Sequence, residues 1–528
     1  MPDYVRALGS QITPRKVTNV PIKKAVKRVY RVNMATAYQN YQQLRQTGQF
    51  SRRNIIKGLV ATAILAYVAP ETAARAAVVA AAAGSNIILG RPTKSSVAIS
   101  YLSAQDAQVY IEYGYAANAL KSKTKVLAVK AAVPLVVELS GLKAATRVYY
   151  RLRLAATGSK TFTTGATNSF VTARASGSTF SFAVQGDSHP ERVGKMFNSD
   201  LYFQTMKNIA GQKPDFFVMM GDDFSIDGLI EKGSATAANV DKIYATQRNW
   251  LSTLGTSVPI FHLNGNHEQA AAYLLDGTAT SPAVLAGQSR LKYFPLPATN
   301  SFYSVDEEDI PVVGKVRDYY SWTWGDALFV TLDPYWHSKN AVDNVAGQKQ
   351  GGGSKTGDLW TIGIGDTQYQ WLKQTLLGSK AKYKFVFAHH VMGTGRGGVE
   401  VSTNYEWGGK DPKGKTTFAE QRPTWEMPIH DLFVKAGVNI FFQGHDHIFV
   451  HQERDGVVYQ SMPNPADDTF SMFNSDAYLS GTQAPNTGHV LVNVSPAGVK
   501  VDYFLTARPQ DTGRKNLQIA HTYKLGAK

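Results

Sequence analysis

Between residues 87 and 174, hydrophobic and polar positions alternate in short runs that turn-forming residues separate. An alternation with a period of two predicts half-buried strands, and several such strands in close succession are typical of a β-sandwich. We therefore predict an all-β sandwich domain over residues 87–174. Its strands are expected at 96–103, 108–113, 126–129, 135–139, 148–154 and 169–172.

Beyond residue 178 the pattern changes to continuous apolar runs separated by helix-compatible segments. Such runs predict strands buried on both faces, and their alternation with helices indicates a layered α/β domain. We place this domain at residues 178–508 and a C-terminal tail at 509–528. The runs lie at 180–184, 216–220, 260–263, 328–332, 385–387 and 440–442.

The positive charge of the chain is concentrated at its start. The 528 residues have a formal net charge of +16, and residues 1–57 contain twelve Lys or Arg but one acidic residue. The remainder of the chain therefore has a net charge of only +5. A basic stretch confined to one end does not indicate a nucleic-acid partner for the folded domains, and we predict none.

The residues after this basic stretch resemble a twin-arginine export signal. Arg52 and Arg53 precede an apolar run, 59–69, and a small-residue cleavage site ends at Ala76. We therefore interpret 1–76 as a leader and 77–86 as a linker. The expected location is periplasmic or secreted, with the twin-arginine export machinery as a partner and without a stable membrane span in the mature chain. A cytosolic basic tail, an uncleaved anchor and a start at Met34 stay open as alternatives.

The chain contains no cysteine. This excludes disulfides, thiol catalysis and metal sites with thiolate ligands. Any metal ion must be bound by histidine, carboxylate or amide side chains.

Five of the predicted strands in the second domain are followed by short polar clusters. Because ligands bind outside the carboxyl ends of strands in α/β sheets, we expect the clusters to meet in one crevice. Two carboxylates, one amide oxygen and four imidazoles among their side chains form a set that suits two metal ions bridged by one carboxylate. The clusters are Gly186-Asp187-Ser188-His189, Gly221-Asp222-Asp223, Gly265-Asn266-His267-Glu268, His389-His390 and Gly444-His445-Asp446-His447.

In this order, the clusters resemble the motifs of the calcineurin-like metallophosphoesterases. The tyrosine-rich segment 142–151 of the first domain resembles the fibronectin-III-like domain of the purple acid phosphatases. The resemblance implies a fibronectin-III-like sandwich followed by a catalytic domain with a central β-sandwich flanked by helices. It also implies two divalent or trivalent metal ions, with Fe, Mn, Zn and Co all open.

The resemblance assigns a role to each polar residue. Asp187, His189 and His447 would bind one metal ion, Asn266, His389 and His445 the other, and Asp222 would bridge them. His267 would stabilise the transition state and protonate the leaving group, with Glu268 orienting its ring. His390 could exchange roles with His389, and Arg396 in a glycine-rich segment is a candidate substrate contact.

Two positions depart from the purple acid phosphatase pattern. Ser225 stands where those enzymes have a tyrosine, and His189 stands where they lack a histidine. An iron–tyrosinate colour is therefore not expected.

The resulting hypothesis is an exported phosphatase that acts on a small phosphorylated substrate. A hydroxide bridging the two ions would attack phosphorus in line. A phosphodiesterase or nucleotidase of the same fold is the alternative within this class. A catalytically inactive cell-surface binding protein is the alternative from another class, and it predicts that metal-ligand positions are missing.

Overall fold

The computed structural model describes residues 86–343, 358–391, 396–411 and 413–526. The predicted leader and nearly all of the predicted linker lie outside these residues. Among the helices that are described, none has both the length and the apolar character needed to cross a membrane.

The first domain is a sandwich of two β-sheets. One sheet has the strand order β1-β2-β6, and the other has β4-β3-β7-β8, with β5 paired to β3 and β9 paired to β7. Alternate residues point into the space between the sheets, where Ile99, Ile111, Tyr150 and Phe170 are buried. The strands are β1 (Ile87–Gly90), β2 (Val97–Tyr101), β3 (Ala107–Gly114), β4 (Ser122–Lys123), β5 (Leu127–Val129), β6 (Leu135–Leu139), β7 (Arg147–Ala156), β8 (Thr163–Thr164) and β9 (Asn168–Val171).

The second domain contains two larger sheets and a short hairpin, β14–β15. One sheet has the order β12-β11-β10-β23-β24-β25, and the other has β13-β16-β17-β18-β19-β21-β20-β22. The strands are β10 (Phe180–Gln185), β11 (Phe216–Met219), β12 (Ile260–His262), β13 (Tyr303–Val305), β14 (Asp309–Ile310), β15 (Gly314–Lys315), β16 (Tyr320–Trp324), β17 (Ala327–Thr331), β18 (Tyr383–Phe387), β19 (Ile440–Gln443), β20 (Phe449–Arg454), β21 (Val457–Ser461), β22 (Thr482–Ala484), β23 (Gly488–Ser495), β24 (Gly498–Leu505) and β25 (Ile519–Leu525).

Helices cover the outer faces of these two sheets. The helices are α1 (Ser199–Gln212), α2 (Asp227–Glu231), α3 (Ala237–Gly255), α4 (Pro282–Tyr293), α5 (Gly365–Gly378), α6 (Tyr405–Gly408), α7 (Phe418–Gln421) and α8 (Ile429–Ala436). Short 3-10 turns lie at Ala272–Leu274, Leu359–Thr361 and Ser475–Ala477. The predicted class, a β-sandwich domain followed by a layered α/β domain, is confirmed.

The continuous apolar runs follow from this layering. Phe182 and Phe385 point into the core between the two sheets, whereas their neighbours Ala183 and Val386 pack beneath the outer helices. Since successive side chains of a strand point to opposite faces, a strand covered on both faces needs apolar residues at every position.

A buried arginine on α3 is one of the residues that connect the two domains. Nε, Nη1 and Nη2 of Arg248 donate to the side chains and carbonyl groups of Asn86 and Ser100 in the sandwich domain. Nη1 also donates to the carbonyl oxygen of Tyr293 in the second domain. All five acceptors are neutral, and burial lowers the pKa of Arg248 to about 9.

The structure differs from the sequence prediction near the C terminus. Residues 519–525, which we expected in a tail, form strand β25 and pair with β24. Every side chain in this segment is either exposed or half-buried. The segment therefore lacks the apolar run that predicted the central strands.

Candidate metal centre

The carboxyl ends of five strands bring the predicted polar residues to one place. β10, β11 and β12 run parallel to one another, as do β18 and β19, so within each sheet these ends lie at the same edge. The residues that follow are Asp187 and His189 after β10, Asp222 after β11, Asn266 and His267 after β12, His389 after β18, and His445 and His447 after β19.

The backbone takes unusual conformations at this edge. Asp222, His189, His445 and His447 all have positive φ angles, between 47° and 67°. Residues other than glycine rarely adopt this region, and such strained residues cluster at functional sites.

Two of the glycines that precede the polar residues allow close contact between strand ends. A Cβ atom on Gly265 would lie 2.2 Å from Oδ1 of Asp222, and one on Gly444 would lie 2.5 Å from Oδ1 of Asp187. A side chain at either position would displace a carboxylate.

One group of donor atoms consists of Asp187, His189 and His447. All three side chains are buried, and their potential ligand atoms lie within 4.8 Å of one another. Nε2 of His447 is 3.0 Å from Oδ2 of Asp187 and 3.1 Å from Nε2 of His189. Burial lowers the pKa of both histidines, which favours the neutral imidazole that binds metal ions.

A second group consists of Asn266, His389 and His445. Oδ1 of Asn266 is 3.2 Å from Nε2 of His389 and 3.1 Å from Nδ1 of His445. Asp222 lies between the groups, because its Oδ2 is 3.2 Å from Nε2 of His389 and 3.5 Å from Nε2 of His189.

The charge distribution of the cluster fits a cation. Burial disfavours a charged His389, but the carboxylates of Asp222 and Asp187 outweigh burial and raise its pKa to about 10. The two carboxylates therefore favour a positive charge at this position, as they would favour a bound metal ion. Imidazole, carboxylate and amide donors of this kind suit Zn, Mn, Fe or Co.

His267 lies at the edge of the cluster and is partly exposed. Its Nδ1 contacts Oδ2 of Asp227, and its Nε2 is 2.9 Å from Nη2 of Arg192. Burial disfavours the imidazolium, but Asp222 and Asp227 outweigh burial and raise the pKa of His267 to about 9.

The histidines have partners that the sequence analysis missed. Nδ1 of His189 is 2.8 Å from Oε1 of Glu191, and Nε2 of His445 is 3.2 Å from Oδ2 of Asp343. Nδ1 of His389 donates to the carbonyl oxygen of Met220 at 2.7 Å. Of these three contacts, only the one between His189 and Glu191 could have been suggested by the sequence, because the two residues are two positions apart.

The expectation that Glu268 orients His267 is wrong. Oε2 of Glu268 accepts the N–H groups of Asp222 and Gly265, and Oε1 accepts those of Asp223 and Phe224. Glu268 therefore holds the backbone of the loop that carries Asp222, and Asp227 is the carboxylate that orients His267.

His390 and Arg396 lie beside the cluster. The ring of His390 stacks on His445, with 4.6 Å between centroids, and Nδ1 of His390 is 3.3 Å from the Tyr335 hydroxyl. It is thus His389 that faces Asp222. Nη1 of Arg396 donates to the carbonyl oxygen of His445 and to Asp446, which anchors the arginine next to the donor atoms.

Comparison with known proteins finds one matching family and similar solved structures. The model of the calcineurin-like phosphoesterase family matches residues 180–449. The solved structure of PhoD has a TM-score of 0.58 at 16% identity, and the match covers 84% of this chain and 90% of that one. Purple acid phosphatase PPD1 from seeds of yellow lupin (Lupinus luteus) has a TM-score of 0.54 at 13% identity, covering 83% of this chain and 74% of that one. A comparison with the curated proteins finds no match.

Proposed function

Because the chain belongs to the calcineurin-like phosphoesterase family, we propose that it hydrolyses phosphate monoesters with two metal ions bound at the strand ends. The observation that carries this proposal is the convergence of Asp187, His189, His447, Asn266, His389 and His445 around Asp222. All seven predicted ligand positions are occupied by side chains able to bind metal, which argues against an inactive binding protein.

Different residues would bind the metal ions and donate the proton. Asp187, His189 and His447 would hold one ion, Asn266, His389 and His445 the other, and Asp222 both. When bound, two such ions neutralise phosphoryl oxygens and activate a water molecule. His267, whose pKa Asp222 and Asp227 raise, would donate a proton to the leaving alkoxide from Nε2, while Asp227 holds Nδ1.

A preference for monoesters is supported by the arrangement of domains. The match to a purple acid phosphatase extends over 83% of the chain, so it includes much of the sandwich domain as well as the catalytic domain. A preference for diesters is the competing outcome of the experiment below.

The test is metal content and turnover of the purified protein. We expect about two equivalents of metal and faster hydrolysis of p-nitrophenyl phosphate than of bis(p-nitrophenyl) phosphate. His267→Gln should retain the metal and lose most turnover, whereas Asp222→Ala should lose both.

His451→Gln is the matched control, because His451 lies on β20 and contacts His521 rather than the metal cluster. A wild-type protein without metal and without activity would refute the proposal, and faster diester hydrolysis would refute the monoester preference.

Export is a separate proposal that is supported by the sequence alone. We propose that the twin-arginine route exports the chain after folding, with metal already bound. Changing both Arg52 and Arg53 to Lys should leave the precursor in the cytoplasm, as measured by cell fractionation. Undiminished export of this variant would contradict the proposal.

A further inference from the structure

Arg192 is a cationic side chain at the edge of the metal centre without a role so far. Its backbone N–H donates to the carbonyl oxygen of His189 at 2.9 Å, which closes a turn directly after this predicted ligand. The side chain of Arg192 is 16% exposed, so it is not fully enclosed by the protein.

One carboxylate fixes Arg192 and His189 together. Oε1 of Glu191 accepts from Nε of Arg192 at 3.2 Å and lies 2.8 Å from Nδ1 of His189. Among the described residues, Glu191 is the only carboxylate paired with Arg192. The negative charge of Glu191 is therefore shared between Arg192 and His189. It neutralises the positive charge of the guanidinium only in part.

The other end of the guanidinium points to His267. Nη2 of Arg192 is 2.9 Å from Nε2 of His267, and among the described residues the hydrogen-bond partner of Nη1 is the sulfur of Met196, a weak acceptor, at 3.5 Å. A guanidinium has five N–H donors and no acceptor. Nη2 of Arg192 therefore donates to Nε2 of His267, which places the guanidinium beside the ring nitrogen assigned to proton transfer. An oxygen anion bound beside these two groups would accept an N–H of the guanidinium.

We propose that Arg192 binds an unesterified phosphoryl oxygen of the substrate and thereby selects phosphate monoesters. This inference rests on the proposed function. A monoester phosphoryl group has three unesterified oxygens and carries nearly two negative charges at neutral pH. A diester has two such oxygens and one charge. A guanidinium matches the oxygens of a phosphoryl group geometrically as well as by charge, so its removal weakens monoester binding more than diester binding.

The experiment measures product binding as well as turnover. For wild type, Arg192→Lys and Arg192→Ala, we would determine metal content, the affinity for inorganic phosphate by calorimetry, and kcat/KM for p-nitrophenyl phosphate and its diester. Arg192→Ala should retain the metal, bind phosphate about tenfold more weakly or worse, and lose about tenfold in the ratio of monoester to diester kcat/KM.

Two further variants sharpen the result. Arg192→Lys should lie between wild type and Arg192→Ala, since it keeps the charge without the planar group, and added guanidinium should restore part of the Arg192→Ala activity. Arg147→Ala removes an arginine of the sandwich domain that donates to Ser169 and should behave as wild type.

Unchanged phosphate affinity and an unchanged ratio in Arg192→Ala would overturn the inference and leave the proposed function standing. Loss of metal together with activity would overturn it as well, because Arg192 would then maintain the metal site. A wild type that binds metal but neither phosphate nor substrate would overturn both proposals.

Discussion

At the scale of single residues, the pair of His267 and Asp227 determines where a proton is held. Asp227 occupies Nδ1 of the ring, which leaves Nε2 facing Arg192 at the edge of the metal centre, and the negative charge of Asp227 contributes to the raised pKa of His267. Such a partner fixes both the orientation and the basicity of an imidazole.

Asp227→Asn should therefore lower kcat without loss of metal. We expect a decrease of about 10- to 100-fold for an alkyl phosphate and a smaller one for p-nitrophenyl phosphate, whose leaving group needs little protonation. Because the pKa of His267 falls when Asp227 is neutral, the basic limb of the pH–rate profile should move to lower pH. Equal losses for both substrates would contradict the role of His267 as the acid.

The sequence predicted the residues at the strand ends but not their partners. Asp187, Asp222 and Asn266 each follow a glycine and an apolar run, so local pattern was sufficient to place them. Asp343, in a loop, and Asp227, at the start of α2, reach His445 and His267 along paths that depend on tertiary packing. Glu268 was given a wrong partner because its neighbour in sequence, His267, points away from it.

At the scale of elements, Glu268 links the loops that follow β11 and β12. Its carboxylate accepts four backbone N–H groups from these two loops, so their relative position is fixed by the protein itself. A buried N–H group without an acceptor costs free energy, so the carboxylate is needed even without metal.

Glu268→Gln should destabilise the metal-free protein, because an amide NH₂ group cannot accept a hydrogen bond. We expect the free energy of unfolding in the presence of a chelator to fall by about 1–3 kcal/mol, as measured by urea denaturation. The matched control is Glu138→Gln in an exposed pair with Arg91, for which the change should be within about 1 kcal/mol. Equal effects of the two substitutions would show that Glu268 does not hold the loops.

At the scale of the whole molecule, the domain junction depends on Arg248. The order of domains and the central strands were predictable, since apolar runs mark strands that are covered on both faces. The hydrogen-bond donors and acceptors of this junction were not predictable from the sequence, because nothing in the local sequence distinguishes Arg248 from a solvent-exposed helix residue. Strand β25 was missed for a related reason, since its side chains alternate between half-buried and exposed.

Arg248→Met should weaken the association of the two domains. The substitution keeps much of the side-chain volume but leaves the polar groups of Asn86 and Ser100 without their donors. We expect a loss of about 2–5 kcal/mol in the free energy of unfolding, measured by denaturation with Arg147→Ala as the surface control. A variant as stable as wild type would show that apolar packing alone maintains the junction.

The neutral acceptors around Arg248 have a consequence for the response to ionic strength. Exposed ion pairs such as Lys130 with Asp106 weaken as salt screens their charges over a Debye length of about 8–10 Å. Arg248 is a buried cation bonded to carbonyl, amide and hydroxyl oxygens, so among its described partners there is no opposite charge whose attraction salt could screen. The hydrogen bonds of Arg248 should therefore persist in media from dilute buffer to concentrated salt, whereas the ion pair of Arg174 with Asp215 should weaken as salt is added.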